Sequence, residues 1–453
     1  MKSINPATEE LIAEYEKMSD STIKSIVQHA AEAQNKWRRK SFDERASHLK
    51  EIAQILENNS DEYAELMARE MGKPLPQGKS ESEKCAWVCR YYAEYAEEFL
   101  EDEIIESDAD KSYITYNSLG TVLAIMPWNF PFWQLFRFGA PALMAGNAVI
   151  LKHAPNVTGC ALAIEKIIHQ AGVPEQLFRT IVADVDQTQD LIVNPGIAAV
   201  TLTGSTRAGK AVASKAGSKL KKTVLELGGS DPYIILDDAD IEKAAETCVT
   251  SRLLNSGQSC IAAKRFVVVE DKYEQFLDIV HQKMANKQIG DPFNDDTDIG
   301  PMARKDLRDK LHNQVQESVK AGAKCILGGE IPDREGAFYP PTILTNITQG
   351  MPAYEEELFG PVASVIKVKN EQEAIMVAND TDYGLGAAIF SEDVDRAEEI
   401  AAKELQAGCC FINEYVKSDP RLPFGGIKKS GFGRELSQVG IKEFVNIKTV
   451  YQA

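Results

Sequence analysis

Apolar residues along this chain change their spacing near residue 120. Up to about residue 105 they recur at threes and fours, and EKCAWVCRYYAEYAEEFL, residues 83–100, sets an apolar and aromatic stripe against an acidic face. That pattern predicts a packing helix in a mostly helical N-terminal region. From residue 121 onward, short apolar runs (TVLAIMP, NAVILK, FRTIVA, AAVTLT and TVLEL) alternate with amphipathic stretches such as CALAIEKIIHQAG. Runs of strand length separated by helices predict a parallel sheet with crossover helices. A second series, PYIIL, RFVVVE, KCILGG, YPPTIL, VASVIKV and AAIF, is interleaved with segments such as IEKAAETCVTSRLL and predicts a second α/β domain. The seam is expected at the two glycines of ELGGSDP, where turn residues separate the two series.

Length fits this division, since 453 residues exceed what one hydrophobic core usually serves. With 44% hydrophobic and 26% charged residues the chain is globular rather than disordered or fibrous. A formal net charge of -18 disfavours nucleic acid and anionic membrane as partners, because phosphate binding needs clustered Lys and Arg. No apolar run reaches the ~18 residues of a membrane span, and the N-terminus MKSINPATEE is polar, so a cytoplasmic protein is expected. Eight cysteines lie scattered, without a CxxC pair or a His at metal spacing. Neither a disulfide framework nor a metal site is expected, and Cys85, Cys89, Cys409 and Cys410 read as small core residues.

Some segments are hard to assign to packing. LTGSTRAGKA, residues 202–211, nearly forms a nucleotide-triphosphate loop through Gly204, Gly209 and Lys210, but Ala211 stands where the Mg-binding hydroxyl belongs. What remains is a strand, a Gly-Ser turn and a helix start, where backbone N–H groups can meet a diphosphate. No GxGxxG follows a strand, so any nicotinamide site is of another design. In LNSGQSCIAAKR, residues 254–265, Cys260 follows a Gly-Gln-Ser turn whose backbone N–H groups could lower its pKa and hold an oxyanion. None of the six His forms a Cys-His motif with it. Glu226, ending the apolar run of TVLEL beside two glycines, is the other candidate base. MPWNFPFWQLFR, EEELFGP and LPFGGIKKSGFGRE join aromatics to Gly and Pro in expected loops, with Asn129 in the first.

PWNFP, LTGST, ELGG, GQSC, EELFGP and PFGGIKKSGFGRE, in this order along nearly the whole chain, resemble the aldehyde dehydrogenase superfamily. Within it, PFWQLFR, LKHAPN, LGGSDP and KKSGFGRE are most similar to short bacterial succinate-semialdehyde dehydrogenases. The resemblance implies a modified Rossmann cofactor domain (1–98 and 118–228), a catalytic α/β domain (229–435) and a small β element for oligomerisation (99–117 and 436–453), in a homodimer or homotetramer. It implies NAD(P)-dependent oxidation of succinate semialdehyde to succinate through a thioester on Cys260. Asn129 would hold the oxyanion and Glu226 would activate the hydrolytic water. It further places Lys152 on the adenosine ribose, Trp128, Gly204 and Ser205 at the diphosphate, Glu357 on the nicotinamide ribose and Phe359 against the ring. Arg137 and Ser418 match residues that bind the substrate carboxylate. The alternative is a general aliphatic aldehyde dehydrogenase, with a non-catalytic nucleotide-binding protein behind it.

Departures from the family pattern refine these expectations. Pro155 stands where many NAD-preferring members carry a ribose-binding Glu, which leaves NAD expected with NADP possible. Phe138 replaces a Lys, Ala262 a second cysteine beside the nucleophile, and Leu254 a second substrate-binding Arg.

Overall fold

The computed structural model describes residues 1–453. Its first large sheet has six strands in the order Gly431–Phe432, Lys222–Glu226, Ala199–Thr203, Thr121–Met126, Ala148–His153 and Phe178–Thr180. All neighbours are parallel except the first pair. These strands are apolar almost throughout because helices cover both faces; all five residues of Ala199–Thr203, for instance, are buried. The chain starts in the middle of the sheet at Thr121–Met126, runs outward through Ala148–His153 and Phe178–Thr180, then returns to the other side at Ala199–Thr203. Ligands of such sheets bind outside the carboxyl ends of the strands where the order reverses. Here those ends carry Pro127, Trp128 and Asn129 on one side and Gly204 and Ser205 on the other.

Four helices, Asp20–Trp37, Phe42–Asn58, Ser60–Met71 and Leu75–Phe99, precede this sheet. The last buries Cys85, Val88, Cys89, Tyr92 and Ala96, the stripe expected from its threes-and-fours spacing. Their apolar faces join the sheet in one core, so the early residues belong with the first α/β unit.

The second large sheet has seven strands, ordered Lys324–Leu327, Thr342–Thr345, Val362–Val368, Arg265–Val269, Pro232–Ile235, Gly386–Phe390 and Cys409–Ile412. Only Lys324–Leu327 and Thr342–Thr345 pair antiparallel. Alternate side chains feed separate cores on its two faces, with Tyr233 and Ile235 in one and Ile234 in the other. A three-stranded antiparallel sheet of Glu103–Ile104, Lys111–Ser118 and Val445–Gln452 is mostly exposed. No helix is long and apolar enough to cross a membrane.

Three local details refine the sequence reading. Lys2–Ile4 and Leu11–Glu14 form a hairpin where helix was expected, since runs this short carry no periodicity. Cys85 and Cys89 are fully buried, while Cys409 and Cys410 lie half-buried on an edge strand, packed against the margins of the cores. The short Gly431–Phe432 strand pairs onto Glu226 and Leu225, which draws the 422–435 loop beside the candidate base.

Candidate active site

Cys260 lies where two cavities meet. One, of about 200 Å³, is bordered by Trp128, Asn129, Gly204, Ser205, Glu357 and Phe359. The other, of about 660 Å³, is bordered by Lys84, Trp133, Arg137, Leu254, Ser418 and Phe424 among others. Cys260 and Gln134 line both. The thiol can therefore be approached from either side, by different molecules.

The loop that presents the thiol is strained and tightly fastened. Asn255, Ser256 and Gly257 are consecutive left-handed residues, at φ 55°, 55° and 75°. A Cβ on Gly257 would lie 2.3 Å from the Gly360 carbonyl, so the EELFGP loop requires a glycine there. Arg252 donates to the Gly257 carbonyl at 2.6 Å, and the Gln258 side-chain oxygen accepts from the Ala303 N–H at 2.9 Å. Lys264 donates to the Ser259 and Cys260 carbonyls, and Arg265 to those of Ser230, Val377 and Ala378. Lys264 is thus a fully buried brace of the loop, whereas the equally buried Arg265 ties its strand to Ser230 and to the helix Glu371–Asn379.

Asn129 is held by the same loop. Asn255 donates its side-chain N–H to the Asn129 carbonyl at 2.7 Å, and Asn129 donates one of its two side-chain N–H groups to the Gln258 carbonyl at 3.0 Å. The other remains for a ligand oxygen. The PWNFP turn is also gripped from the helix Leu75–Phe99. Glu81 accepts the Phe132 and Trp133 N–H groups at 2.9 and 3.0 Å, and its second oxygen pairs with the buried Lys73. Lys73 in turn sits over the Phe130 ring.

Burial pushes the Cys260 thiol up to about 12, against the opposing charges of Arg137 and Lys264. This corrects the expectation that turn N–H groups lower it. Burial likewise raises the Glu226 carboxyl well above its ordinary value, with Arg137 opposing and Glu435 adding to the rise. Glu226 is 1% exposed, both its oxygens lack hydrogen-bond partners, and a Cβ on Gly425 would approach one of them to 2.7 Å. It lies behind the walls of the two cavities rather than in them.

Arg137 is the largest departure from the sequence reading. Both its side chain and that of Glu435 are 2% exposed, and the two form an ion pair while the guanidinium lies 4.6 Å from the Phe424 ring centre. Its charge is thus balanced inside the protein, whereas the resemblance assigned it to a substrate carboxylate. Ser418 does border the larger cavity, but its hydroxyl accepts from Lys84 at 2.9 Å. Lys84 was missed because it occupies one turn of an ordinary packing helix and its partner is 334 residues away.

The smaller cavity gathers five of the residues expected at the diphosphate and nicotinamide of a dinucleotide, Trp128, Gly204, Ser205, Glu357 and Phe359. Ser205 caps the helix Thr206–Gly217 by accepting the Ala208 N–H, and a Cβ on Gly204 would touch only Leu202 at 3.8 Å, so bare backbone faces the cleft. A Cβ on Gly228 would lie 2.3 Å from a Glu357 carboxylate oxygen, so a side chain there would displace Glu357. Glu357 accepts from the Gly229 N–H at 3.0 Å and pairs with Lys264 at 3.5 Å. Phe359 meets Trp128 edge-on at 5.7 Å. Lys152, near the end of Ala148–His153, is partly buried and forms no ion pair, but it does not border this cavity.

Residues 1–450 match the model of the aldehyde dehydrogenase family. The chain belongs to the aldehyde dehydrogenase family. This aldehyde dehydrogenase is 48% identical to the probable NADP(+) succinate-semialdehyde dehydrogenase of Synechocystis sp. over 100% of this chain and 99% of that protein. It is 46% identical to an NAD(P)+ succinate semialdehyde dehydrogenase of Escherichia coli, over 99% and 97% of the two chains. Among solved structures it superposes on the succinic semialdehyde dehydrogenase of Streptococcus pyogenes in complex with NADP+ with a TM-score of 0.97, at 38% identity and 99% coverage of both chains.

Proposed function

We propose that this enzyme oxidises succinate semialdehyde to succinate with NADP as the preferred acceptor. The observation that carries the reading is Cys260 at the junction of a cleft bordered by Trp128, Gly204, Ser205, Glu357 and Phe359 and a larger cavity with cationic side chains in its wall. The Synechocystis, Escherichia coli and Streptococcus pyogenes relatives are described as succinate-semialdehyde dehydrogenases, the first and third with NADP and the second with either cofactor, which supports NADP over the NAD expected from the sequence.

The aldehyde enters the larger cavity and its carbonyl carbon meets Cys260. Loss of the thiol proton to solvent gives the thiolate, and attack forms a hemithioacetal whose oxyanion takes the free Asn129 N–H and the Cys260 backbone N–H. The residues that border the smaller cavity would hold a nicotinamide dinucleotide, which would supply the hydride acceptor for this oxidation. Cys260 is then a thioester. Glu226, made more basic by the burial that raises its pKa, removes a proton from water as the water attacks the thioester, releasing the acid and the thiol. For Glu226 to reach that water, its carboxylate must leave the enclosed position seen here, where it is 1% exposed and borders neither cavity.

Lys152, Trp128 and Ser205 would hold the adenosine ribose and diphosphate, with Glu357 and Phe359 at the nicotinamide end. Pro155 places no carboxylate against a 2′-phosphate. Asp184, the acid whose charge reaches Lys152, is itself paired with Lys17 at 2.7 Å. Specificity constants measured by absorbance of the reduced cofactor, for succinate semialdehyde and butanal with NAD and NADP, test the reading. The highest value is expected for succinate semialdehyde with NADP; parity between the two aldehydes would remove the substrate assignment, and near-absolute NAD selectivity the cofactor assignment.

A further inference from the structure

The wall of the larger cavity carries four cations, Lys84, Arg137, Lys417 and Arg421. Three are matched by carboxylates of the protein: Arg137 by Glu435, Lys417 by Glu414 at 3.0 Å and Arg421 by Asp419 at 2.6 Å. Glu81, the remaining acid of that wall, is committed to Lys73 and to two backbone N–H groups. Lys84 alone has no ion pair. Its ammonium donates to the Ser418 hydroxyl and lies 4.4 Å from the Trp133 ring centre, which leaves two of its three N–H groups free. A partly buried ammonium without a counter-ion is costly unless something that enters the cavity supplies one.

We propose that Lys84, oriented by Ser418 and the face of Trp133, is the anchor for the far carboxylate of the substrate. The inference rests on the reading that the aldehyde carries such a carboxylate, and it assigns to a lysine of the helix Leu75–Phe99 the task that the sequence resemblance gave to Arg137. Trp133 and Ser418 hold the ammonium in the wall of the same cavity that Cys260 borders. A chain whose two ends meet Cys260 and Lys84 together would be held in one pose with its aldehyde at the thiol. An uncharged aldehyde would have only the cavity walls to hold it. Burial, then the charge of Arg137, lowers Lys84 to about 8, the direction expected of a cation that lacks its anion.

The test is Lys84→Met, which keeps the stem and removes the charge, read as the ratio of kcat/KM for succinate semialdehyde over butanal. The ratio should fall ~ten- to hundredfold, as expected for loss of a charge-assisted hydrogen bond, with the change on succinate semialdehyde lying in KM. Competitive inhibition by succinate should weaken by a similar factor, and Lys84→Arg should recover part of both. A wild-type enzyme that prefers succinate semialdehyde, joined to a Lys84→Met variant with an unchanged ratio, would overturn the anchor and leave the substrate reading intact. An equal loss on both aldehydes with succinate inhibition unchanged would make Lys84 structural and also overturn it. If the wild-type enzyme shows no preference, the substrate reading fails first and the anchor with it.

Discussion

Replacing Arg137 by methionine separates the internal role seen in the structure from a role in substrate binding. The substitution keeps most of the stem volume and removes the charge from an ion pair whose side chains are 2% exposed on both sides. Breaking a buried pair from one side costs ~3–5 kcal/mol, because the surviving carboxylate of Glu435 stays buried without its counter-ion. Lost contact with the Phe424 ring adds up to ~2 kcal/mol. Part of the sum is relieved when Glu435 takes up a proton, which burial already favours. A net loss of ~3 kcal/mol is expected in urea unfolding, and Arg137→Met combined with Glu435→Leu should recover most of it. Activity should fall as well, because the Arg137 charge holds down both the Cys260 thiol and the Glu226 carboxyl. That loss acts on the nucleophile and the base, so it should be the same factor for succinate semialdehyde and for butanal. A variant with unchanged stability that loses activity on succinate semialdehyde alone would refute this reasoning and return Arg137 to the substrate.

Other outcomes follow from the same geometry. Asn129→Ala should lower kcat by ~10²–10³-fold with dinucleotide binding retained, measured by steady-state kinetics and cofactor fluorescence. Gly257→Ala forces a side chain into the Gly360 carbonyl at a left-handed residue, so it should cost both stability and nearly all turnover. Lys152→Met should weaken NADP more than NAD, seen as a change in the ratio of their specificity constants. His153 is buried and neutral, with one ring nitrogen bonded to the Pro131 carbonyl and the other to the Ala154 N–H, and burial pushes it down to about 4. Between the ordinary 6.5 and about 4 the unfolded chain binds a proton that the folded chain refuses. Stability from this group is therefore present above that window and declines by about 3 kcal/mol as pH falls through it. The difference in urea midpoint between wild type and His153→Gln, followed from pH 7 to 5, should track that decline; a pH-independent difference would contradict it.

The two parallel sheets were legible because continuous apolar runs such as AVTLT and RFVVV have few other ways to be buried. Cys260, Glu226 and Asn129 stood out for a related reason: each is a polar residue at a strand end or in a turn where packing alone does not call for it. What the sequence could not show was which charges cancel. Arg137 and Glu435, and Lys84 and Ser418, come together only after both sheets and the 422–435 loop have docked. No local pattern distinguishes the arginine that is neutralised from the lysine that is not. The thiol's raised pKa was hidden for the same reason, since desolvation depends on the walls contributed by distant segments.

The thioester on Cys260 is the centre of this account, and trapping it is the most direct test. Glu226→Gln, mixed with succinate semialdehyde and NADP and quenched in acid, should show a burst of reduced cofactor equal to the enzyme present. Peptide mass spectrometry should then place one succinyl group on the peptide that contains Cys260, and none after Cys260→Ala. A burst of reduced cofactor without acylated Cys260, or turnover by Cys260→Ala, would contradict it.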